Sequence, residues 1–481
     1  MKSIDRRTFL KTLGLGSVAT VGVAVGCKSP NTPVVEGVDL GEVPTDGMTY
    51  RENLHGDKVS LLGFGCMRLP YVEREESDES APVIDQERVE EMFDYAIAHG
   101  VNLFDTAPTY LKGQSESAVG QALSRHDRSK YYVSTKLSNF APSTWSREAS
   151  MAMYRNSFKS LQVDCLDYYM LHCCGVTAKD ADGNELDPLQ AVKTRFIDNG
   201  MLDFLIEERS AGRIRNLGFS YHGGKETFEY MLSLNEKVHW DHVLIQHNYC
   251  DWKHADTSEN TDSEYLYGRL ESLNIPIFVM EPLLGGQLAT LPEHSTAELK
   301  ARQPQRSIAS WAFRFAGAQP RILTVLSGMS CMEHLQDNIR TFSPLEQLSD
   351  EDCAVLEEVA KERASFSLVP CTGCKYCMPC PYGIDIPGVF QHYNKCIGEG
   401  SLITDDDIAA HLEGDGGSAR RAYRKARRAF LVGYDGAVPK LRQADHCIGC
   451  NQCLVHCPQK IKIPEEMQRI DRYVEKVKRA L

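Results

Sequence analysis

Eight of the seventeen cysteines stand in two tight groups: Cys371, Cys374, Cys377 and Cys380 before Pro381, and Cys447, Cys450, Cys453 and Cys457 before Pro458. The second group has the C-x2-C-x2-C-x3-C-P spacing with which thiolates hold an iron–sulfur cluster; the first is one residue shorter before its fourth cysteine. Four soft thiolates per site suit two [4Fe-4S] clusters. Zinc is the competing reading, but paired C-x2-C knuckles leave the third cysteine and the following proline of each group unexplained. In two-cluster proteins of this spacing the fourth cysteine of each group serves the other cluster. That pattern predicts Cys371, Cys374 and Cys377 with Cys457, and Cys447, Cys450 and Cys453 with Cys380. The other thiols, Cys66, Cys165, Cys173, Cys174, Cys250, Cys331, Cys353 and Cys396, read as buried small apolar residues. Cys173 and Cys174 follow His172 directly and are candidates to line a pocket.

A second set of reactive groups stands where short apolar runs end. Asp105 closes Asn102-Leu103-Phe104, Lys136 follows Val133-Ser134-Thr135, His172 follows Tyr169-Met170-Leu171, and Tyr110 sits in the segment after Asp105. Together these types suit proton delivery to a carbonyl oxygen while hydride reaches its carbon. A phenol is a poor acid near neutrality, and a neighbouring ammonium is expected to lower its pKa. Tyr110 is then the acid, Lys136 the source of positive field and Asp105 the group that orients Lys136. His172 steers the substrate oxygen by hydrogen bonding. In reverse the same phenol is a base for alcohol oxidation.

These groups need a scaffold that brings strand ends together. β-rich apolar runs recur at 59–65, 101–105, 131–136, 166–172, 215–220, 242–246, 275–281 and 322–327. Helical patterns lie between most of them, such as Val89, Met92, Phe93, Ala96 and Ile97, opened by a candidate cap at Asp85 and closed by Gly100. Eight such units imply an α/β fold, a (β/α)8 barrel over 58–345 whose active site lies at the C-terminal ends of the strands. The rhythm stops after Phe342; residues 346–369 read as a connecting helix, and 370–481 as a mainly helical, ferredoxin-like domain organised around the cysteines.

Hydrophobic residues at 42% and charged residues at 25% exclude disorder, and a formal charge of −13 sets nucleic acid aside. Arg6-Arg7-Thr8-Phe9-Leu10-Lys11 is a twin-arginine pattern, and the uncharged stretch after it ends in Ala24-Val25-Gly26-Cys27. Residues 1–26 are expected to be removed as a signal, leaving a periplasmic protein or a lipoprotein anchored to the membrane through Cys27. Residues 27–57 read as a tether. The basic run Arg420, Arg421, Arg424, Lys425, Arg427 and Arg428 is either a solvated helix face or a docking patch for an acidic redox partner or anionic lipid.

The barrel resembles the aldo/keto reductase family in Gly63-Phe64-Gly65-Cys66-Met67-Arg68, Phe104-Asp105-Thr106-Ala107-Pro108-Thr109-Tyr110, Ser134-Thr135-Lys136 and Asp167-Tyr168-Tyr169-Met170-Leu171-His172. The resemblance implies that Asp105, Tyr110, Lys136 and His172 are a catalytic tetrad and that the cofactor is NADP or NAD. It also implies that Ser220 and Gln246 hold the nicotinamide carboxamide. Three departures stand out: Tyr221 follows Ser220 where the family often has Asn, Met280 replaces an aromatic ring expected to stack on the nicotinamide, and Gly328 and His334 replace cations for a 2′-phosphate. Asp337 and Asn338 remain for the adenine end, and the choice between NADP and NAD stays open. The run from Cys371 to Pro381 is similar to that of bacterial aldo/keto reductases carrying a C-terminal ferredoxin-like domain. Hydride carries two electrons whereas a cluster takes one, and no flavin site couples them, so clusters that are structural stay open beside clusters that carry electrons. Two functions follow as expectations: an exported oxidoreductase acting on a small carbonyl or alcohol, or an electron-transfer lipoprotein whose barrel only docks a redox partner.

Overall fold

A computed structural model describes residues 42–72, 83–255, 260–291, 293–365, 368–398, 402–403, 408 and 418–479. The twin-arginine stretch, Cys27 and the acidic run 405–407 lie outside the described residues. Among the described residues no helix is long and apolar enough to cross a membrane.

Strands β1 (Tyr50–Glu52) and β2 (Lys58–Ser60) form an antiparallel hairpin, and β7 (Ala178–Lys179) pairs with β8 (Glu185–Leu186) in a second, small ribbon. Eight parallel strands close the barrel in the order β10-β11-β12-β3-β4-β5-β6-β9. They are β3 (Leu62–Gly65), β4 (Leu103–Asp105), β5 (Tyr132–Leu137), β6 (Leu166–Cys174), β9 (Ile214–Tyr221), β10 (His242–Gln246), β11 (Ile277–Met280) and β12 (Ile322–Ser327). Strands covered on both faces read as continuous apolar runs, which is why all eight were visible in the sequence. Tyr168, Met170, Leu244 and Phe278 fill the barrel interior, so it is a packed core and not a pore.

The run 59–65 divides between two elements. Asn102 Oδ1 accepts from Ser60 N, and the Ser60 hydroxyl donates to the Leu62 carbonyl, so the chain bends at Ser60 and the barrel strand starts at Leu62. Residues 50–57, expected in the tether, belong instead to the hairpin and its turn. Arg51 donates to the carbonyls of Gly317, Gln319 and Ile322, and Asn53 Nδ2 donates to the Tyr168 hydroxyl at 3.0 Å. The hairpin therefore closes the N-terminal end of the barrel, where Tyr168 and the carbonyls near β12 need partners.

Helix α1 (Gln86–Ala98) starts where Asp85 accepts from Arg88 N, and buries Val89, Met92, Phe93 and Ala96 on the barrel. Beyond α2 (Met332–Phe342) and α3 (Asp350–Ser365), the C-terminal region is built on α4 (Ile386–Gly398), α5 (Ser418–Ala437) and α6 (Ile463–Arg479). Val389, Phe390 and Tyr393 pack with Phe430 and Tyr434 and with Met467, Ile470 and Val474, a core separate from the barrel's. Along the basic run, Arg421, Arg424, Lys425 and Arg428 are exposed, while Arg427 donates to the carbonyls of Val477 and Lys478 at the end of α6.

Candidate active site

The strand ends bring the predicted tetrad into one place. Asp105 is the last residue of β4, Lys136 lies near the end of β5 and His172 near the end of β6, with Asp105 in register with Ser134 and Lys136 with Met170. Lys136 Nζ donates to Asp105 Oδ2 at 2.6 Å and to the Thr106 carbonyl at 2.7 Å, and the Ser134 hydroxyl donates to Asp105 Oδ1 at 2.7 Å. The ammonium lies 4.8 Å from the centre of the Tyr110 ring, and the Tyr110 and His172 rings are 5.9 Å apart. Tyr110 opens a tight turn in which Leu111 and Lys112 both take left-handed φ, 50° and 56°, strain of the kind that collects at functional loops.

The site is closed to solvent: relative exposure is 0% for Lys136, 2% for Asp105, 3% for His172 and 8% for Tyr110. Burial pushes the Tyr110 phenol well above its ordinary value, helped by the neighbouring Tyr376 phenol, Asp105, Cys173 and Cys66. This corrects the expectation that Lys136 lowers it. Lys136 is compensated by Asp105 at 2.6 Å, so the pair brings little net positive field while the desolvation of a phenolate remains. His172 is held well below the ordinary histidine value, first by burial and then by Lys136, Arg195 and His222.

Several groups that no motif announced build this geometry. Ser138 Oγ lies 2.6 Å from His172 Nδ1. The β6 strand shifts register between Leu171 and Cys174, with Cys173 at φ 52°, and Arg195 secures the irregularity by donating to the carbonyls of His172 (2.7 Å) and Cys173 (3.2 Å). Ser220, expected at the carboxamide, accepts from Cys173 N at 2.8 Å and so also braces this strand. Among the scattered thiols, Cys165 and Cys353 are half-buried rather than buried, because Cys165 leaves a loop at the barrel surface and Cys353 lies on a partly solvated face of α3.

The rest of the expected cofactor set is dispersed. Gln246 Nε2 donates to Asp251 Oδ2 at 2.6 Å, while its Oε1 accepts from Gln459 Nε2 of the C-terminal region at 2.9 Å. Met280 is half-buried at the end of β11. Gly328 lies beneath the aliphatic stem of Arg68, whose Cδ would be 3.1 Å from a Cβ at that glycine, while the guanidinium donates to the Thr372 carbonyl. Asp337 and Asn338 are buried and engaged inside the barrel: Asp337 Oδ2 accepts from the Ser307 hydroxyl at 2.6 Å, and Asn338 Nδ2 donates to Ser327 Oγ at 2.9 Å. Asn338 ties α2 to β12, and Asp337 ties it to Ser307, the cap of the helix Ile308–Ala318.

The cysteine-rich region sits over this mouth. Arg68 Nη2 donates to the Thr372 carbonyl at 2.6 Å and Gln287 Nε2 to the Cys371 carbonyl at 2.8 Å. Gly285, at φ 68°, lies so close that a Cβ there would stand 2.4 Å from the Thr372 carbonyl oxygen, and its N–H donates to half-buried Glu281 Oε2 at 2.6 Å. The Cys377 thiol has the thiols of Cys374, Cys457, Cys371 and Cys453 as neighbours, and Cys457 has Cys374 and Cys371. Cys453 has Cys447, Cys450 and Cys380, and these four line one small cavity with Ile463 and Met467. Among the described residues no three His, Cys, Asp or Glu side chains meet at the distance of a single bound metal ion.

Residues 61–361 match the model of the aldo/keto reductase family. Similar curated proteins include an L-galactose dehydrogenase of Arabidopsis thaliana, 27% identical over 322 residues that cover 63% of this chain and 90% of that protein. An NADH-specific methylglyoxal reductase of Escherichia coli is 24% identical over 308 residues, covering 54% of this chain and 84% of that protein. Among solved structures, an aldo-keto reductase from Bacillus halodurans aligns with a TM-score of 0.49 at 20% identity, covering 65% of this chain and 96% of that one.

Proposed function

Because the chain belongs to the aldo/keto reductase family and is an oxidoreductase, we propose that it is exported by the twin-arginine route and interconverts a small carbonyl and its alcohol, using a nicotinamide, with Tyr110 as acid and base. The observation that carries this reading is the sealed tetrad, in which a buried Lys136–Asp105 pair stands against Tyr110 with His172 across from it. A barrel that served only for docking has no need of such a pair in its mouth. The two curated relatives are named for L-galactose and for methylglyoxal, which supports a sugar or a small oxoaldehyde as the substrate class.

The barrel side of the groove fits a nicotinamide. Gln246 already accepts a hydrogen bond from a primary amide, that of Gln459, and a carboxamide offers the same N–H. Ser220, Gln246, Met280 and Gly328 would hold the dinucleotide, which supplies a hydride when bound; Gln459 must yield to it. The chain's own part is proton transfer. Ser138 Oγ and His172 Nδ1 are within hydrogen-bond distance; in this reading the hydroxyl donates, which leaves the neutral ring's proton on Nε2, the tautomer that can donate to a substrate oxygen. Tyr110 then gives its proton to the alkoxide, a far stronger base than phenolate even when the phenol's pKa is raised. Burial that keeps Tyr110 protonated at neutral pH favours reduction over oxidation, since oxidation needs the phenolate.

The C-terminal region holds two [4Fe-4S] clusters in this reading, one on Cys371, Cys374, Cys377 and Cys457 and the other on Cys447, Cys450, Cys453 and Cys380. The electrostatic neighbourhoods of Cys377, Cys457 and Cys453 support that crossed assignment. A lipid on Cys27 and a redox partner at the α5 basic face complete the proposal. The test is anaerobic purification of the full chain, followed by aldehyde reduction with NADPH and with NADH; a chain with clusters but no nicotinamide binding and no turnover would overturn it.

A further inference from the structure

The C-terminal region enters the barrel's site through one side chain. The Tyr376 ring lies 6.2 Å from Phe140, Phe140 lies 5.0 Å from His172, and His172 lies 5.9 Å from Tyr110. Tyr376, Phe140, His172 and Tyr110 thus form one continuous chain of rings at the mouth of the barrel. Beside Cys374 of its own segment, the Tyr376 phenol end has Cys173, Thr109 and Asp105 as neighbours, residues from the ends of β4 and β6 and from the loop that carries Tyr110. Its position is imposed by the barrel. Arg68 and Gln287 bond the carbonyls of Thr372 and Cys371, and Gly285 admits the Thr372 backbone where any side chain would exclude it. Arg363 Nη2 in turn donates to Gln287 Oε1 at 2.9 Å, so the clasp is itself braced from α3. A ring held this way on three barrel segments, beside a buried acid and facing its partner histidine, bounds whatever occupies the space between them.

We propose that Tyr376, although carried by the cysteine-rich region, is a specificity-determining residue of the barrel site: its ring is the wall that limits the size of the carbonyl substrate. The proposal rests on the carbonyl reading above, and its test includes a measurement that does not depend on turnover. If Tyr376 served only to pack one region on the other, substrate size would not matter to its replacement.

The experiment uses the full chain, purified anaerobically, with propionaldehyde and 2-naphthaldehyde as small and bulky probes. Tyr376→Ala should raise kcat/KM for 2-naphthaldehyde relative to propionaldehyde by about tenfold or more, the scale on which pocket walls discriminate. Tyr376→Phe, which keeps the ring, should retain the wild-type ratio. Calorimetric dissociation constants for the same two probes should change in the same proportion. They separate the two readings: turnover unaffected by Tyr110→Phe would overturn the acid role of Tyr110, whereas the binding ratio still judges Tyr376. Thermal unfolding reports that each variant is intact, and Tyr376→Val replaces Tyr376→Ala should the latter not fold. An unchanged binding ratio in the truncated variant, or an equal change in Tyr376→Phe, would overturn the proposal.

Discussion

Replacing Lys136 by Met tests the site at its most demanding contact. The ammonium is wholly buried and its partner Asp105 nearly so, with Nζ 2.6 Å from Oδ2. Without Lys136 the carboxylate keeps only the Ser134 hydroxyl. Removing one member of a buried pair leaves an uncompensated charge and costs about 3–5 kcal/mol. With an unfolding entropy of about 2.1 cal/mol/K per residue over a barrel of roughly 300 residues, that loss lowers Tm by about 5–8 °C. Asp105→Asn combined with Lys136→Met removes the stranded charge and should recover most of the loss in a double-mutant cycle. Carbonyl reduction should fall by at least about a hundredfold in both, because a neutral pair cannot orient the proton donor. Thermal unfolding and steady-state kinetics on the same preparations supply both readouts. A single variant as stable as wild type would refute the buried pair, and a double variant with wild-type turnover would refute its part in catalysis.

Three further outcomes follow. Cys380→Ala should alter the paramagnetic signal of the cluster assigned to Cys447, Cys450 and Cys453 and spare the other, with Cys371→Ala as the opposite control; loss of the same signal in both would mean that each group closes on itself. Gln459→Ala frees the amide of Gln246, and a hydrogen bond worth about 0.5–1.5 kcal/mol should tighten nicotinamide binding by about 2–12-fold in a fluorescence titration; weaker binding would argue against competition at Gln246. Burial holds His242 at about 3 and His247 at about 4, so both are neutral in the folded chain while the unfolded chain protonates near pH 6.5. Stability from these histidines is complete above that pH and is lost as pH falls towards the folded values, by about 1.4 kcal/mol per unit and per histidine. His242→Leu should flatten the urea-midpoint profile between about pH 6 and pH 4 by that amount, and an unchanged slope would show that His242 is not buried neutral.

The barrel was legible because strands covered on both faces leave uninterrupted apolar runs, and because Asp105, Lys136 and His172 each end one. The two cysteine groups were equally plain from their spacing. What escaped depends on tertiary neighbours. Arg195 looked like any helical arginine until the β6 irregularity supplied two carbonyls for it. Arg68 stood within a recognised stretch, yet only the return of the chain at β12 laid it over Gly328. Asp337 and Asn338 were placed at a ligand by resemblance and were drawn instead to Ser307 and Ser327. The direction of the Tyr110 shift was misjudged because residue types announced an ammonium oriented by Asp105 but not the depth of burial, nor how closely that carboxylate cancels the ammonium's field. Tyr376 gave no sign of its role, being flanked by cysteines that explained its neighbourhood without it.

Transfer of label from deuterated nicotinamide tests the central claim most directly. The full chain, incubated anaerobically with a small aldehyde and NADPH or NADH deuterated at the transferable position, should place one deuterium on the carbinol carbon of the product alcohol, as read by mass spectrometry. Tyr110→Phe should bind the nicotinamide with unchanged affinity and form almost no labelled alcohol. Alcohol formed without deuterium, or labelled alcohol formed at the wild-type rate by Tyr110→Phe, would contradict the account.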